Sequence, residues 1–253
     1  MAKIPVALQL YTVRDQTAID FAGTVRKVAK LGYAGVEFAG TGGLSGEELN
    51  DLLKETNLKP AGTHISLEAL RTDVDKVIAE NKAYGAQYVG IGGLPKELSS
   101  SAVGWHKAAE IMNKVGAKLR AAGLTFYYHN HSHEFDVMDG ERGMDILLAE
   151  TDPAAVAFEC DVYWAWYAGV DPVALLHAFP GRFPLIHLKD MSGKGENRTY
   201  VEVGEGHIAF QPIFEAAEAQ GAKWYIVEQD TCARPSLESA AISLRNLKRW
   251  RKA

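Results

Sequence analysis

Cysteine is nearly absent. The chain has only Cys160 and Cys232, and they form no Cys-x-x-Cys pair. There is no disulfide framework to read, and the two thiols are expected to be reduced, although two thiols could in principle pair. Long apolar runs are missing as well. None reaches the length of a bilayer span, and Gln9, Arg14 and Asp15 interrupt the only N-terminal stretch that could act as the apolar core of a signal peptide. Excess positive charge is also lacking. Lys and Arg number 27 against 32 Asp and Glu, a formal net charge of -5, which argues against a polyanion such as nucleic acid as partner. A cytoplasmic setting is expected, with neither membrane nor nucleic acid bound; a homodimer is compatible with the sequence.

No linker, repeat or low-complexity tract divides the 253 residues, and no Gly-x-Gly-x-x-Gly follows the first apolar run. What is present is alternation. Strand-like apolar runs at 6–13, 34–38, 60–65, 87–92, 124–131, 156–163, 183–189 and 224–229 are separated by segments with helical spacing of apolar residues. Among the latter are 21–31, 101–122, 143–150, 172–178, 211–220 and 236–250. Gly32, Gly85, Gly123 and Gly221 mark helix ends. The strands read as nearly continuous apolar runs, the pattern of strands buried on both faces. Eight β/α units in one stretch of this length predict a single-domain (β/α)8 TIM barrel over residues 1–253. A doubly wound open sheet is the alternative. It is disfavoured by the missing glycine fingerprint and by a unit count that matches closure.

Four strand ends carry the chemistry: Tyr128-His129-Asn130-His131, Cys160-Asp161, Ile186-His187-Leu188-Lys189-Asp190 and Val227-Glu228-Gln229-Asp230. Each contains a side chain able to bind a divalent metal. Strand alternation puts His129 with His131, Glu159 with Asp161, His187 with Lys189, and Glu228 with Asp230 on the same face. Charged groups facing a barrel interior are costly unless paired or bound to metal. One metal site at the rim is therefore expected, since such a rim is where a parallel barrel does its chemistry. Gln9, Tyr11 and Arg14 on the first strand, Glu37 on the second and His64 on the third add polar groups. Gly90-Ile91-Gly92-Gly93 brings no side chain and is expected to leave room for substrate. Glu159 is expected to lie deeper, paired with a cation such as Lys189. Trp164, with Tyr11, Phe38, Phe135 and Trp166, suits the C–H faces of a sugar or polyol. His106, His133, His177 and His207 read as surface or loop residues. Gly204-Glu205-Gly206 reads as a turn rather than a phosphate cradle. No Arg/Lys cluster stands at the rim, so a non-phosphorylated ligand is expected; Arg14, Lys194 and Arg198 are the residues that bear on this.

These motifs, with Leu8-Gln9-Leu10-Tyr11-Thr12-Val13-Arg14-Asp15, Gly35-Val36-Glu37, Gly62-Thr63-His64, Glu134-Phe135, Trp164 and Gly204-Glu205-Gly206, resemble the xylose isomerase-like TIM barrels. That superfamily holds sugar isomerases and epimerases and also endonuclease IV; the resemblance covers essentially the whole chain. It implies one divalent metal held by Glu, Asp, His and Glu from strands five to eight. Asp161, His187 and Glu228 carry over. The first glutamate does not: His129 stands in its place, giving His-Asn-His where relatives have Glu-Asn-His. His129 and His131 compete for that ligand position. The resulting ligand set, His129, Asp161, His187 and Glu228, suits Mn²⁺, Zn²⁺, Co²⁺ or Fe²⁺. The resemblance further implies an isomerase or epimerase acting on a sugar or keto-sugar through an enediolate. Glu228 is the first candidate base and Glu134 the second, with Lys189 stabilising the oxyanion or acting as acid. His131, His64, Glu37, Gln9 and Trp164 are the expected substrate contacts. The alternatives are a keto-sugar or inosose dehydratase or keto-glycoside lyase on the same site, and a sugar-binding barrel without catalysis. The missing glutamate means that a two-base epimerisation needs a substitute in Glu134, His131 or Lys189.

Overall fold

Eight parallel strands close on themselves in chain order: β1 Val6–Gln9, β2 Gly35–Ala39, β3 Lys59–His64, β4 Tyr88–Ile91, β5 Thr125–His129, β6 Val156–Asp161, β7 Leu185–Leu188 and β8 Trp224–Val227. The computed structural model describes residues 3–193 and 195–253. The crossing helices are α1 Phe21–Leu31, α2 Gly46–Thr56, α3 Val74–Ala83, α4 Ala102–Ala121, α5 Gly143–Glu150, α6 Pro172–Ala178, α7 Phe210–Gln220 and α8 Ser236–Arg249. The expected (β/α)8 barrel is the architecture found. Local chemistry fixes the helix ends. Asp20 caps α1 by accepting the Gly23 N–H, and Gly32 closes it in the left-handed region at φ 97°. Ser45 and Glu48 form a reciprocal capping box on α2. Among the described residues no helix is long and apolar enough to cross a membrane. Both cysteines are free.

The first, fifth and sixth strands are shorter than their apolar runs. β1 stops at Gln9 because the side-chain oxygen of Gln9 accepts the Tyr11 N–H at 3.0 Å, turning the chain into a 3-10 turn over Leu10–Val13. β5 ends at His129, so Asn130 and His131 begin a loop. β6 stops at Asp161, whose Oδ1 accepts the Trp164 N–H at 2.9 Å and starts a short helix, Val162–Tyr167. In the first and sixth strands a polar side chain captures a backbone donor just beyond the strand end. Two short antiparallel ribbons were not expected: Val137–Met138 with Glu141–Arg142, and Asp190–Ser192 with Thr199–Val201.

The second ribbon explains the Gly204-Glu205-Gly206 turn. Asp190 is buried and accepts four backbone N–H groups: Met191 at 2.7 Å and Ile208 at 3.2 Å on Oδ1, Gly204 at 2.9 Å and Gly206 at 3.0 Å on Oδ2. The loop therefore wraps a carboxylate of the chain itself. Glycine is required at 206 because a Cβ there would come within 2.3 Å of Asp190 Oδ1. Asp190→Ala is expected to lower unfolding free energy by about 2–4 kcal/mol, since the Met191 and Ile208 donors lie in buried residues and lose their acceptor. Urea unfolding measures this. A loss under about 0.5 kcal/mol would show that water replaces the carboxylate without penalty.

Candidate metal centre and active site

The barrel interior is layered. Its floor is apolar, formed by residues such as Ala7, Tyr88, Ala157, Leu185 and Ile226. Above it lies a layer of hydrogen-bonded polar groups. Glu37 Oε2 accepts from Gln9 Nε2 at 2.7 Å and lies 2.7 Å from His187 Nε2, while its Oε1 accepts the Tyr127 hydroxyl at 2.5 Å. Glu159 Oε2 lies 3.1 Å from both His64 Nε2 and His187 Nε2. Glycines make room for this layer. A Cβ on Gly90 would come within 2.6 Å of the Tyr127 ring, and one on Gly92 within 3.0 Å of His64. The space at Gly90 is thus filled by the protein's own Tyr127, whereas Gly92 borders the pocket and a Cβ on Gly93 would meet nothing within 4 Å.

The upper layer opens to solvent. His129 Nε2 lies 3.3 Å from Asp161 Oδ2, and His187 Nδ1 lies 3.1 Å from Glu228 Oε2 and 3.7 Å from Asp161 Oδ2. Lys189 Nζ sits among three carboxylates: 3.1 Å from Asp161 Oδ2, 2.8 Å from Glu228 Oε2 and 2.8 Å from Asp230 Oδ2. Asp161 is held from two sides. Its Oδ1 caps the following helix, and its backbone N–H donates to Asn130 Oδ1 at 3.0 Å, which ties β6 to the end of β5. That leaves Oδ2 for the site. The pocket above is lined by Tyr11, His64, His129, His131, Glu228 and Asp230, with Ala39, Ile65 and Gly92.

Electrostatics sort these groups by charge. Burial, and then the nearby His187, depress His129 to about 4. Burial, and then His129, depress His131 to about 3. Both imidazoles are therefore neutral ligands or acceptors near neutral pH. Burial would raise Asp161 and Glu228, but the Lys189 ammonium and the adjoining imidazoles outweigh it and hold both carboxyls well below the usual range. Burial would lower Lys189, but Asp161, Glu228 and Asp230 hold its ammonium well above the ordinary value. Asp230 is pushed up by burial despite Lys189.

Burial would lower His187, but Glu159, Glu37 and Glu228 hold it well above its ordinary value. An imidazolium and the Lys189 ammonium together therefore face these carboxylates, and a divalent cation would take the place of the His187 proton. The donor set agrees. His129, Asp161, His187 and Glu228 each offer one N or O atom, all within 4.8 Å of one another. Metal–ligand bonds near 2.1 Å place opposed ligand atoms about 4 Å apart, so the cluster needs little adjustment to hold an ion. His129 Nδ1 and Glu159 Oε1 are buried without a protein partner, a further sign that the interior is not self-complementary. The residues present fit a divalent metal.

The expected ligands His129, Asp161, His187 and Glu228 thus converge, and His129 rather than His131 is the fifth-strand side chain in the cluster. His131 stands at the pocket wall, with its ring 4.8 Å from that of His129 and 5.5 Å from that of Trp164. His64 lines the pocket and is also paired below it. Three expectations need correction. Glu134, considered as a base, lies outside the barrel bore: it accepts the outward-pointing Tyr128 hydroxyl at 2.5 Å and the His131 N–H at 2.9 Å, so it braces the loop after β5. Gln9 and Glu37, considered as substrate contacts, are fully enclosed and bonded to one another beneath the pocket. Glu159 pairs with His64 and His187 rather than with Lys189.

Trp164 packs behind the pocket wall, its ring 5.4 Å from Lys189 Nζ. The sequence reading missed Tyr200, which the ribbon after β7 folds back to 5.9 Å from the same ammonium and 4.7 Å from the Tyr163 ring. The alternating Thr199-Tyr200-Val201 was its only signal. Arg14 stacks on Tyr11 at 4.1 Å and donates to the Asp230 carbonyl, and Arg198 stacks on Tyr167 at 4.6 Å. Lys194 lies outside the described residues.

Residues 25–250 match the xylose isomerase-like TIM barrel family, and the chain belongs to it. The inosose dehydratase of Geobacillus kaustophilus is 33% identical over 150 residues, which cover 53% of this chain and 46% of that enzyme. The chain spans about half the length of the curated relatives it matches. A sugar phosphate isomerase/epimerase from Parabacteroides distasonis superposes with a TM-score of 0.85 at 23% identity, over 98% of this chain and 94% of that one. The zinc-bound IOLI protein superposes with a TM-score of 0.75 at 13% identity, over 97% of each chain. At these identities the two structures speak to the fold.

Proposed function

We propose that this chain is a divalent-metal-dependent enzyme that removes the proton beside the carbonyl of a non-phosphorylated keto-sugar or inosose and then expels a β-hydroxyl as water. The carrying observation is the one-sided site. Glu228, Lys189 and Asp230 lie together at the ends of β7 and β8, whereas the opposite wall offers His129 and His131, both neutral. The dehydratase relatives agree with this reading. When bound by His129, Asp161, His187 and Glu228, the metal supplies Lewis-acid polarisation of the substrate carbonyl.

The protein's own groups do the rest. Glu228 meets His187 and Lys189 through Oε2, which leaves its other oxygen to take the α-proton. The electron pair released forms a carbon–carbon double bond and breaks the bond to the β-hydroxyl. Lys189 or Asp230 gives that hydroxyl a proton, and water leaves. The Lys189 ammonium also steadies negative charge on the substrate oxygen during the step. Tyr11, which lines the pocket, offers a ring face for the C–H surface of the ligand. The engagement of Arg14 and Arg198 on aromatic rings favours an uncharged substrate.

Isomerisation or epimerisation is the second reading. It is favoured by His131, which lines the pocket with Glu228 and could return the proton at another position. Proton NMR in deuterated water separates the two. The Mn²⁺- or Co²⁺-loaded protein would be incubated with a panel of inososes and ketohexoses. Elimination is expected to show as loss of the α-proton signal together with a new conjugated carbonyl absorption. Deuterium gain with inversion or carbonyl migration supports the isomerase instead. No exchange with any ketose would leave a sugar-binding barrel.

A further inference from the structure

We infer that Glu37 is a positioning residue that fixes how His187 presents Nδ1 to the cation; this rests on the metal reading above. Bound to a cation, the His187 imidazole is neutral and carries one N–H and one lone pair. Donation from His187 Nε2 to Glu37 Oε2, 2.7 Å away, leaves the lone pair on Nδ1. Nδ1 is the atom that faces Glu228 and Asp161. Rotation of the ring is opposed from both ends.

Glu37 is itself immobilised to a degree that a barrel interior does not require. It is fully buried, with Gln9 Nε2 at 2.7 Å on Oε2 and the Tyr127 hydroxyl at 2.5 Å on Oε1. Gly62 keeps the space clear, since a Cβ there would lie 2.7 Å from both Glu37 Oε1 and the Tyr127 hydroxyl. Strands β1, β2, β3 and β5 thus combine to hold one carboxylate that touches no pocket. Apolar side chains would fill the same layer at lower desolvation cost. Glu159 also lies 3.1 Å from His187 Nε2, but it shares that oxygen with His64 and no donor reaches its Oε1. The shorter contact and the two extra donors single out Glu37.

The test is Co²⁺ titration of the metal-free protein, followed by the visible ligand-field spectrum, for the parent, Glu37→Gln, Tyr127→Phe and Glu159→Gln. Thermal melts of the metal-free proteins are recorded alongside. Glu37→Gln is expected to bind Co²⁺ roughly 10–100-fold more weakly, with shifted bands. Tyr127→Phe keeps the carboxylate but frees one oxygen, so a smaller loss in the same direction is expected; this variant decides the matter should Glu37→Gln not fold. Glu159→Gln is expected to change the bands least. Parent-like affinity and bands in Glu37→Gln would overturn the inference and leave the metal site standing. Weaker binding with unchanged bands and a lowered melting temperature would also overturn it, in favour of a purely structural carboxylate. A parent that binds no Co²⁺ would overturn both readings at once.

Discussion

Asp161→Asn should lose metal by more than about 100-fold in affinity, beyond the range typical of groups that only support a ligand. The substitution is chosen for what it keeps. Asparagine caps helices as well as aspartate does, so the Trp164 N–H retains its acceptor and Val162–Tyr167 stays helical. Asn130 still receives the backbone N–H of residue 161. What disappears is the anionic Oδ2 that His129, His187 and Lys189 all face. Calorimetric titration with Mn²⁺ and a metal-free melt should therefore diverge: binding lost, folding nearly unchanged. Proton exchange at the substrate α-carbon should vanish with it. Retention of parent affinity by a folded Asp161→Asn protein would remove Asp161 from the ligand set.

The second large effect concerns Lys189. Its ammonium is fully buried and is shared by Asp161, Glu228 and Asp230. Lys189→Met keeps the length and packing of the side chain but leaves three carboxylates facing one another. Removing one partner of a buried ionic group costs about 3–5 kcal/mol. Part of this cost is recoverable here, because a divalent cation supplies the charge the ammonium gave. The melting temperature of Lys189→Met should therefore rise with added Mn²⁺ or Co²⁺ by more than that of the parent, as expected when an ion binds only the folded state. Activity should not return with it, since the proposed acid and oxyanion partner is gone. A variant as stable as the parent without metal would mean that the three carboxylates are not simultaneously charged.

The barrel was legible in the sequence because its signals are local and repeated. Apolar runs recur at each of the eight units, glycines close four of the helices and side-chain caps open five, and the strands are largely buried on both faces. The strand-end chemistry was legible for a similar reason: His129, Asp161, His187 and Glu228 sit at the ends of those runs, and alternation alone turns them inward. Depth was harder to read. Alternation gives the face of a strand but not the height at which a long side chain ends, so Glu37 and Gln9 looked like pocket residues and proved to be its foundation. Glu134 misled for a different reason. It follows β5, where the strand period no longer applies, and its partner Tyr128 points outward. Glu159 was given the nearest lysine in sequence terms, whereas neighbouring strands supply two imidazoles. The ribbon that delivers Tyr200 pairs residues within a loop, and short excursions of that kind carry little periodic signal.

The layered bore has a consequence for isotope traffic. Below the site, the apolar floor and the hydrogen-bonded Gln9, Glu37 and Tyr127 are buried. On the proposed reaction, protons taken from substrate would reach bulk water through the pocket mouth, past Tyr11 and His131. The deuterium content of the product formed in heavy water then becomes a clock. It compares the rate at which the mouth admits solvent with the rate at which the chemistry is completed.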